Sequence, residues 1–207
     1  MRPASFYKGV NMIIDISSYN GKIDFTAMAA SENIERVIMR GTTKNGELDT
    51  RLIENINGAC ANLSTDVPID VYKFSYARSN ADATVEAYNL IARLKLHGLF
   101  SIIDTIWLDL EDFDGRSHTT KEAAETIAAY ASVCDLFGAK FGIYCNYNYL
   151  KHILPKWAKI YKIWLARWGT AAIGDTFDFD VILWQYTSKG VCAGIKGDVD
   201  LSKRVNA

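Results

Sequence analysis

No stretch of like charge, no long apolar run and no closely spaced cysteine pair occurs in this sequence, and each absence removes a class of function. Charge is nearly balanced, with Lys+Arg 23 against Asp+Glu 24 and a net charge of -1. A nucleic-acid or anionic-membrane reader needs clustered basic residues, so neither nucleic acid nor membrane is expected as a partner. No apolar run approaches the roughly 20 residues that span a bilayer. The segment from Met1 to Val10 lacks the uninterrupted apolar core of a secretory leader, so no signal peptide is expected. The four cysteines (Cys60, Cys134, Cys145, Cys192) form no CxxC pair, and His97, His118 and His152 supply no second ligand pair. Zinc sites want such pairs, so no metal and no cofactor is expected. The cysteines read as small buried hydrophobes, with a Cys145–Cys192 disulfide left open. With only 3 prolines, no repeat and no low-complexity linker, nothing divides the chain.

What is there is a globular composition, 49% hydrophobic and 23% charged. A chain of 207 residues buries enough surface to fold without a staple. Short apolar runs alternate with longer helical patterns. The runs Met12 to Ile16, Arg36 to Met39, Ile69 to Phe74, Ile106 to Leu110, Phe141 to Cys145, Ile163 to Ala166 and Val181 to Tyr186 read as strands, with a weak eighth near Val199. They are rich in Ile, Val, Leu and aromatics without strict alternation, as parallel strands covered on both faces are. Helices are expected over Phe25 to Asn33, Thr50 to Leu63, Asn80 to His97 and from Thr119 or Thr120 to Phe137. Asn80 is the expected N-cap of the third, Val85 and Tyr88 lie on its expected apolar stripe, and Gly98 and Gly138 are stops. Alternating strands and helices imply a parallel sheet with right-handed crossovers. A regular (β/α)8 barrel takes about 250 residues. The shorter length and the loss of helices after about residue 150 predict a single-domain α/β barrel lacking its last helices. Residues 1–11 are expected to be an extension and 12–207 the barrel.

Working residues of such barrels stand where strands emerge at the C-terminal end. Those positions carry Asp15, then Asp109 and Glu111, and finally Asp200. Asp109 and Glu111 are two apart on a strand and therefore share a face. Two acids held together repel, which raises one pKa and leaves the other ionised. Glycoside cleavage uses that difference. Aromatics at the same level, Tyr72, Phe74, Tyr144, Trp168, Trp184 and Tyr186, suit the flat C–H faces of sugars. Trp107 and Trp157 are assigned to packing.

These residues fall into a pattern. Its parts are Ile14-Asp15-Ile16-Ser17, Gly21-Lys22-Ile23-Asp24-Phe25, Val37-Ile38-Met39-Arg40-Gly41-Thr42, Tyr72-Lys73-Phe74 and Trp107-Leu108-Asp109-Leu110-Glu111. Gly142-Ile143-Tyr144, Ile163-Trp164-Leu165-Ala166-Arg167-Trp168, Leu183-Trp184-Gln185-Tyr186-Thr187 and Gly197-Asp198-Val199-Asp200-Leu201 complete it. In order and spacing the chain resembles the glycoside hydrolase family 25 muramidases, the lysozymes of autolysins and phage endolysins. The resemblance implies an incomplete TIM-like (β/α)5(β)3 barrel. It implies hydrolysis of the β-1,4 bond between N-acetylmuramic acid and N-acetylglucosamine in peptidoglycan glycan strands, with net retention. It carries over Asp15, Asp109, Glu111 and Asp200 as catalytic acids, Glu111 as proton donor, and Arg40, Tyr72, Tyr144 and Gln185 as groove-lining positions; Trp184 is expected to bind substrate with them as one of the aromatics above. Lys73 stands where the family has His, and Ser202 where it has Asn. Both departures are expected to alter groove contacts, and the loop from Thr42 to Gly46 is less standard.

Whether Asp109 attacks the anomeric carbon or orients the substrate's 2-acetamido group stays open at this level. A metal-dependent hydrolase holding Mg²⁺ with the same acids and a non-catalytic wall-sugar binder are the alternatives. Thr105 and Trp107, four and two positions before Asp109, argue against a chitinase-like barrel. The expected protein is a monomer acting on the cell wall outside the cytoplasmic membrane, reached by holin-type release unless the sequence is a trimmed one.

Overall fold

The computed structural model describes residues 11–205. Eight strands close a barrel in sequence order: β1 (Asn11–Ile16), β2 (Asn33–Arg40), β3 (Ile69–Phe74), β4 (Ile103–Leu110), β5 (Lys140–Asn146), β6 (Lys162–Ala166), β7 (Asp180–Gly190) and β8 (Val199–Arg204). Between the first six run α1 (Phe25–Ser31), α2 (Leu52–Asn62), α3 (Asn80–Leu96), α4 (Thr120–Leu136) and the short α5 (Tyr147–His152). The proposed extension over 1–11 lies outside the described residues apart from Asn11, which opens β1.

The expectation of a wholly parallel sheet needs correction. β1 through β7 pair in parallel, but β8 is antiparallel to both β7 and β1. The cause is the missing helix. A parallel neighbour needs a crossover of a dozen or more residues, whereas an antiparallel one needs only a turn. No helix lies between β7 and β8, so the chain folds back on itself and β8 points down the barrel.

Two apolar layers result. Outward residues such as Ile14, Val37, Val71, Leu108, Ile143 and Leu165 pack beneath the helices. Inward ones, Ile13, Ile38, Trp107, Tyr144, Trp164, Ala166 and Leu183, fill the barrel as a second cluster. Trp107 fits because its β5 neighbour is Gly142, where a Cβ would stand 2.4 Å from the indole Cζ3. Below the indole, its Nε1 donates to Asp70 Oδ2 at 2.7 Å, and Arg36 Nη1 holds the same carboxylate at 2.6 Å and 2.7 Å. The interior is therefore a plugged core rather than a pore, with the Arg36 and Asp70 pair closing it below and the acids opening above.

Helix ends follow their local chemistry. Thr119 and Glu122 form a reciprocal capping box at α4. α3 is capped by Ser79, whose side chain accepts from the Asp82 amide, and not by Asn80 as expected. Gly98 and Gly138 follow α3 and α4 at φ 69° and 68°, the left-handed conformation that ends a helix. All four cysteines are free, Cys60 exposed and the others buried, so the Cys145–Cys192 bridge is absent.

Candidate active site

The mouth collects the four acids from three strands. Asp15 lies near the end of β1, and Asp109 and Glu111 at the end of β4. Asp200 joins them because β8 runs downward, which puts its second residue at the level where the parallel strands end. Asp15 and Asp200 are directly paired across the antiparallel β1–β8 seam, and their carboxyl groups hydrogen bond to each other.

Burial sets the protonation of these groups. It raises the Asp15 pKa well above the carboxylate range, and the neighbouring Asp200 raises it further. Asp200 is raised by burial too, but its hydrogen bond from Asp15 acts in the opposite direction. The two carboxyls therefore favour holding one proton between them. Asp109 is pushed well up by burial, then by Glu111 and Asp15, with the Lys73 ammonium pulling the other way. Its Oδ1 is buried without a hydrogen-bond partner. Glu111 is half-buried, and burial, Asp112 and Asp200 raise its pKa, while a hydrogen bond with Tyr144 lowers it. The expected acidic pair thus exists as a deep group with a partnerless oxygen and a shallower group, both with a raised pKa.

One amide ties this cluster together. Gln185 Nε2 donates to Asp15 Oδ2 at 2.9 Å and to Asp200 Oδ2 at 3.4 Å. Gln185 Oε1 faces the Tyr144 hydroxyl at 3.0 Å and the Trp168 Nε1 at 2.9 Å. Tyr144 and Tyr72 both pack edge-on against Trp164, and burial keeps each phenol protonated. Arg40 closes one rim: its Nε donates to Asp49 Oδ2 at 2.6 Å and its Nη2 to Ser18 Oγ at 2.7 Å. The guanidinium lies 4.7 Å from the ring centre of Tyr19, which is 88% exposed. Opposite, the Trp168 ring is 51% exposed. The loop after Glu111 is braced by Arg78, whose Nη1 donates to the Ser117 carbonyl at 2.9 Å and Nη2 to that of Arg116 at 3.0 Å.

Several expected positions fall elsewhere. Trp184 occupies the face of β7 opposite Gln185, because neighbours on a strand point to opposite sides. Its Nε1 donates to the Arg167 carbonyl at 2.8 Å and the Lys203 ammonium sits 4.6 Å from its ring centre, so it does not join the acids. Gln185 is in the cluster but enclosed, with 1% of its surface exposed. Lys73 and Ser202 do not reach the groove either. Lys73 is fully buried with its Nζ on the Phe74 carbonyl at 2.7 Å, and Ser202 Oγ accepts from Trp164 Nε1 at 2.9 Å below the acids. Asp49, the anchor of Arg40, was not foreseen, since its contact crosses a loop that carries no periodic signal. Among the described residues, no group of three His, Cys, Asp or Glu side chains is arranged to hold a metal ion.

A model of the glycosyl hydrolases family 25 matches residues 14–195. Among solved structures the chain is similar to the modular autolysin LytC from Streptococcus pneumoniae, at TM-score 0.81 and 26% identity. The match covers 92% of this chain but 46% of the autolysin, which has also been solved in complex with a synthetic peptidoglycan ligand. It is similar in fold to the catalytic domain of endolysin ply40 from bacteriophage P40 of Listeria monocytogenes, at TM-score 0.72 and 22% identity, covering 92% and 91% of the two chains. The spore cortex lytic enzyme SleM of Clostridium perfringens shares the fold at TM-score 0.80 and 16% identity, with 94% and 67% covered. No curated protein matches the sequence.

Proposed function

The chain belongs to the glycosyl hydrolases of family 25, and from that membership we propose that it is a muramidase. It cleaves the β-1,4 bond between N-acetylmuramic acid and N-acetylglucosamine in bacterial peptidoglycan. The observation that carries this reading is the Asp109 and Glu111 pair at the barrel mouth, one deep with a free oxygen and one shallow with a raised pKa. A binding module has no need of two repelling acids.

Glu111 gives its proton to the glycosidic oxygen as the C–O bond breaks, and positive charge develops at the anomeric carbon. Asp109 lies beneath that carbon. Its pKa is held up by burial and by Glu111 and Asp15, which disfavours the ionised form that a nucleophile needs. Its partnerless Oδ1 is an acceptor suited to the N–H of the sugar's 2-acetamido group. That contact turns the acetamido oxygen onto the anomeric carbon, forming a cyclic intermediate with release of the leaving sugar. The Glu111 carboxylate then takes a proton from water as the water opens the ring, which restores the acid and gives net retention. The Asp15 and Asp200 pair keeps negative charge near Glu111 and so favours its protonated form.

Trp168 and Tyr19 offer exposed ring faces at the rim, and Arg40, Tyr72 and Tyr144 line the walls. With net charge near zero, attraction to an anionic wall rests in this groove rather than in the field of the whole protein. The proposed protein acts as a monomer, outside the cytoplasmic membrane where its substrate lies.

Clearing of a suspension of purified Gram-positive cell walls tests the reading. Wild type lowers turbidity, whereas Glu111→Gln, with an unchanged far-UV circular dichroism spectrum, loses about 10²–10⁴-fold of the rate, the usual contribution of a general acid. Substantial lysis by that variant removes Glu111 from the role.

A further inference from the structure

Of the residues expected to touch substrate, Gln185 is the one whose surroundings leave no room for it. Both hydrogens of its amide nitrogen point to carboxylates, Asp15 and Asp200, and both acceptor sites of its oxygen face donors, Tyr144 and Trp168. The orientation is not interchangeable. An indole N–H only donates, so the amide oxygen must face Trp168, and the nitrogen is left for the carboxylates.

We propose that Gln185 is a positioning residue that locks the rim indole of Trp168 in register with the Asp15 and Asp200 carboxyl pair, so that sugar platform and acidic floor form one unit. Trp168 follows β6 in the irregular segment before β7. The backbone just before it is held on both sides, with the Arg167 amide donating to the Gln185 carbonyl at 3.0 Å and the Arg167 carbonyl accepting from Trp184 Nε1. The half-exposed ring itself is fixed by the bond from its Nε1 to Gln185 Oε1 at 2.9 Å. A sugar stacked on that ring is therefore placed, through a single amide, against the acids below. Such registration matters because a misplacement of about 1 Å costs about 100-fold in rate.

The same amide bears on Glu111. The Tyr144 hydroxyl has one proton and two acceptors near it, Gln185 Oε1 and Glu111, and its bond to Glu111 lowers the pKa of that acid. Removing the Gln185 oxygen sends the Tyr144 proton to Glu111, so the basic limb of the activity profile moves to lower pH.

This inference rests on the muramidase reading, so its test has an arm that needs no activity. In ¹⁵N-tryptophan-labelled protein, the Trp168 indole N–H resonance, assigned by its loss in Trp168→Phe, is expected to be protected from solvent exchange. Its shift should follow the titration of the carboxyl pair. In Gln185→Met both properties disappear; in Gln185→Glu, which keeps an oxygen for the indole but brings its own titrating carboxyl, protection stays and the resonance follows the new carboxyl instead. On cell walls, Gln185→Met should lower kcat about tenfold or more with KM changed less than about twofold. Trp168→Phe should lower kcat in the wild-type background and add nothing in Gln185→Met, the non-additivity of residues acting together. An indole resonance that exchanges freely in wild type, additive losses, or a raised KM with unchanged kcat overturns the proposal. Failure of wild type to lyse walls while the indole behaves as expected overturns the muramidase reading and leaves the lock intact. Should Gln185→Met not fold, the resonance in Gln185→Glu decides.

Discussion

Asp15 and Asp200 stand opposite each other on the first and last strands, joined carboxyl to carboxyl where β8 reverses direction. Two acids so placed cannot both ionise at small cost, and the proton they retain is held by the fold itself.

Stability should therefore depend on pH in a definite sense. The folded pKa of Asp15 lies above its unfolded value, so the native state takes up a proton at a pH where the unfolded chain does not. The contribution of this group rises as pH falls through the raised value, and levels off below the ordinary carboxylate range. Asp15→Asn imitates the protonated form, with an oxygen for Gln185 and an N–H for Asp200. It is expected to gain about 0.5–2 kcal/mol at pH 7, about 2–4 °C per kcal/mol in Tm, while activity falls. The gain should vanish at pH 3, and calorimetry at the two pH values checks it.

Lys73 is a buried cation without a carboxylate in ion-pair contact among the described residues. Burial lowers its pKa, the Glu86 and Asp109 charges oppose that, and Arg40 reinforces it. Its ammonium touches the Phe74 carbonyl and lies 4.9 Å from the Tyr76 ring centre. Because it favours ionised Asp109, Lys73→Met is expected to move the acidic limb of the pH–rate profile upward, and Lys73→Arg to leave it near that of wild type. An acidic limb unmoved by Lys73→Met refutes the electrostatic role.

Gly142 holds the space of the Trp107 ring. A Cβ there meets Cζ3 at 2.4 Å and Cε3 at 2.6 Å, so Gly142→Ala must displace the indole and its bond to Asp70. Overpacking of this kind costs about 1–3 kcal/mol, read as a lowered denaturant midpoint with an unchanged m-value.

Chelation should leave wall lysis unchanged. The acids are already answered by a shared proton and by the donors of Gln185 and Tyr144, and no described triad of ligating side chains surrounds a common point. Loss of activity in excess EDTA, restored by a divalent cation, contradicts this.

The strands were readable because each is buried on two faces and shows as an apolar run; Ile69–Phe74 appears at its expected limits. The four acids were readable for the same reason, as charges breaking such runs at their ends. Other features depend on what a one-dimensional pattern does not carry. In α3 the buried face is Ala83, Ala87, Leu90, Ile91 and Leu94, while the expected Val85 is 59% exposed. Ala83 and Ala87 are buried with the leucines, while Val85 and Tyr88 lie on the exposed side. Trp184 and Gln185 differ by one step along β7, and strand parity sends one out and the other in. The reversal of β8 follows from a missing helix, and an apolar run carries no mark of strand direction. Lys73 looked like a groove residue because its neighbour Tyr72 is one.

The antiparallel seam also dictates when the site can exist. Asp109 and Glu111 arrive on one strand and are neighbours early, but Asp200 meets Asp15 only when the last strand docks beside the first, the contact of greatest sequence separation in the barrel. Contacts of that kind pay their loop-closure entropy first and form slowly. Partly folded barrels are thus chemically silent, and in a refolding experiment hydrolysis should return with the slowest structural phase, after the bulk of the helical signal has recovered.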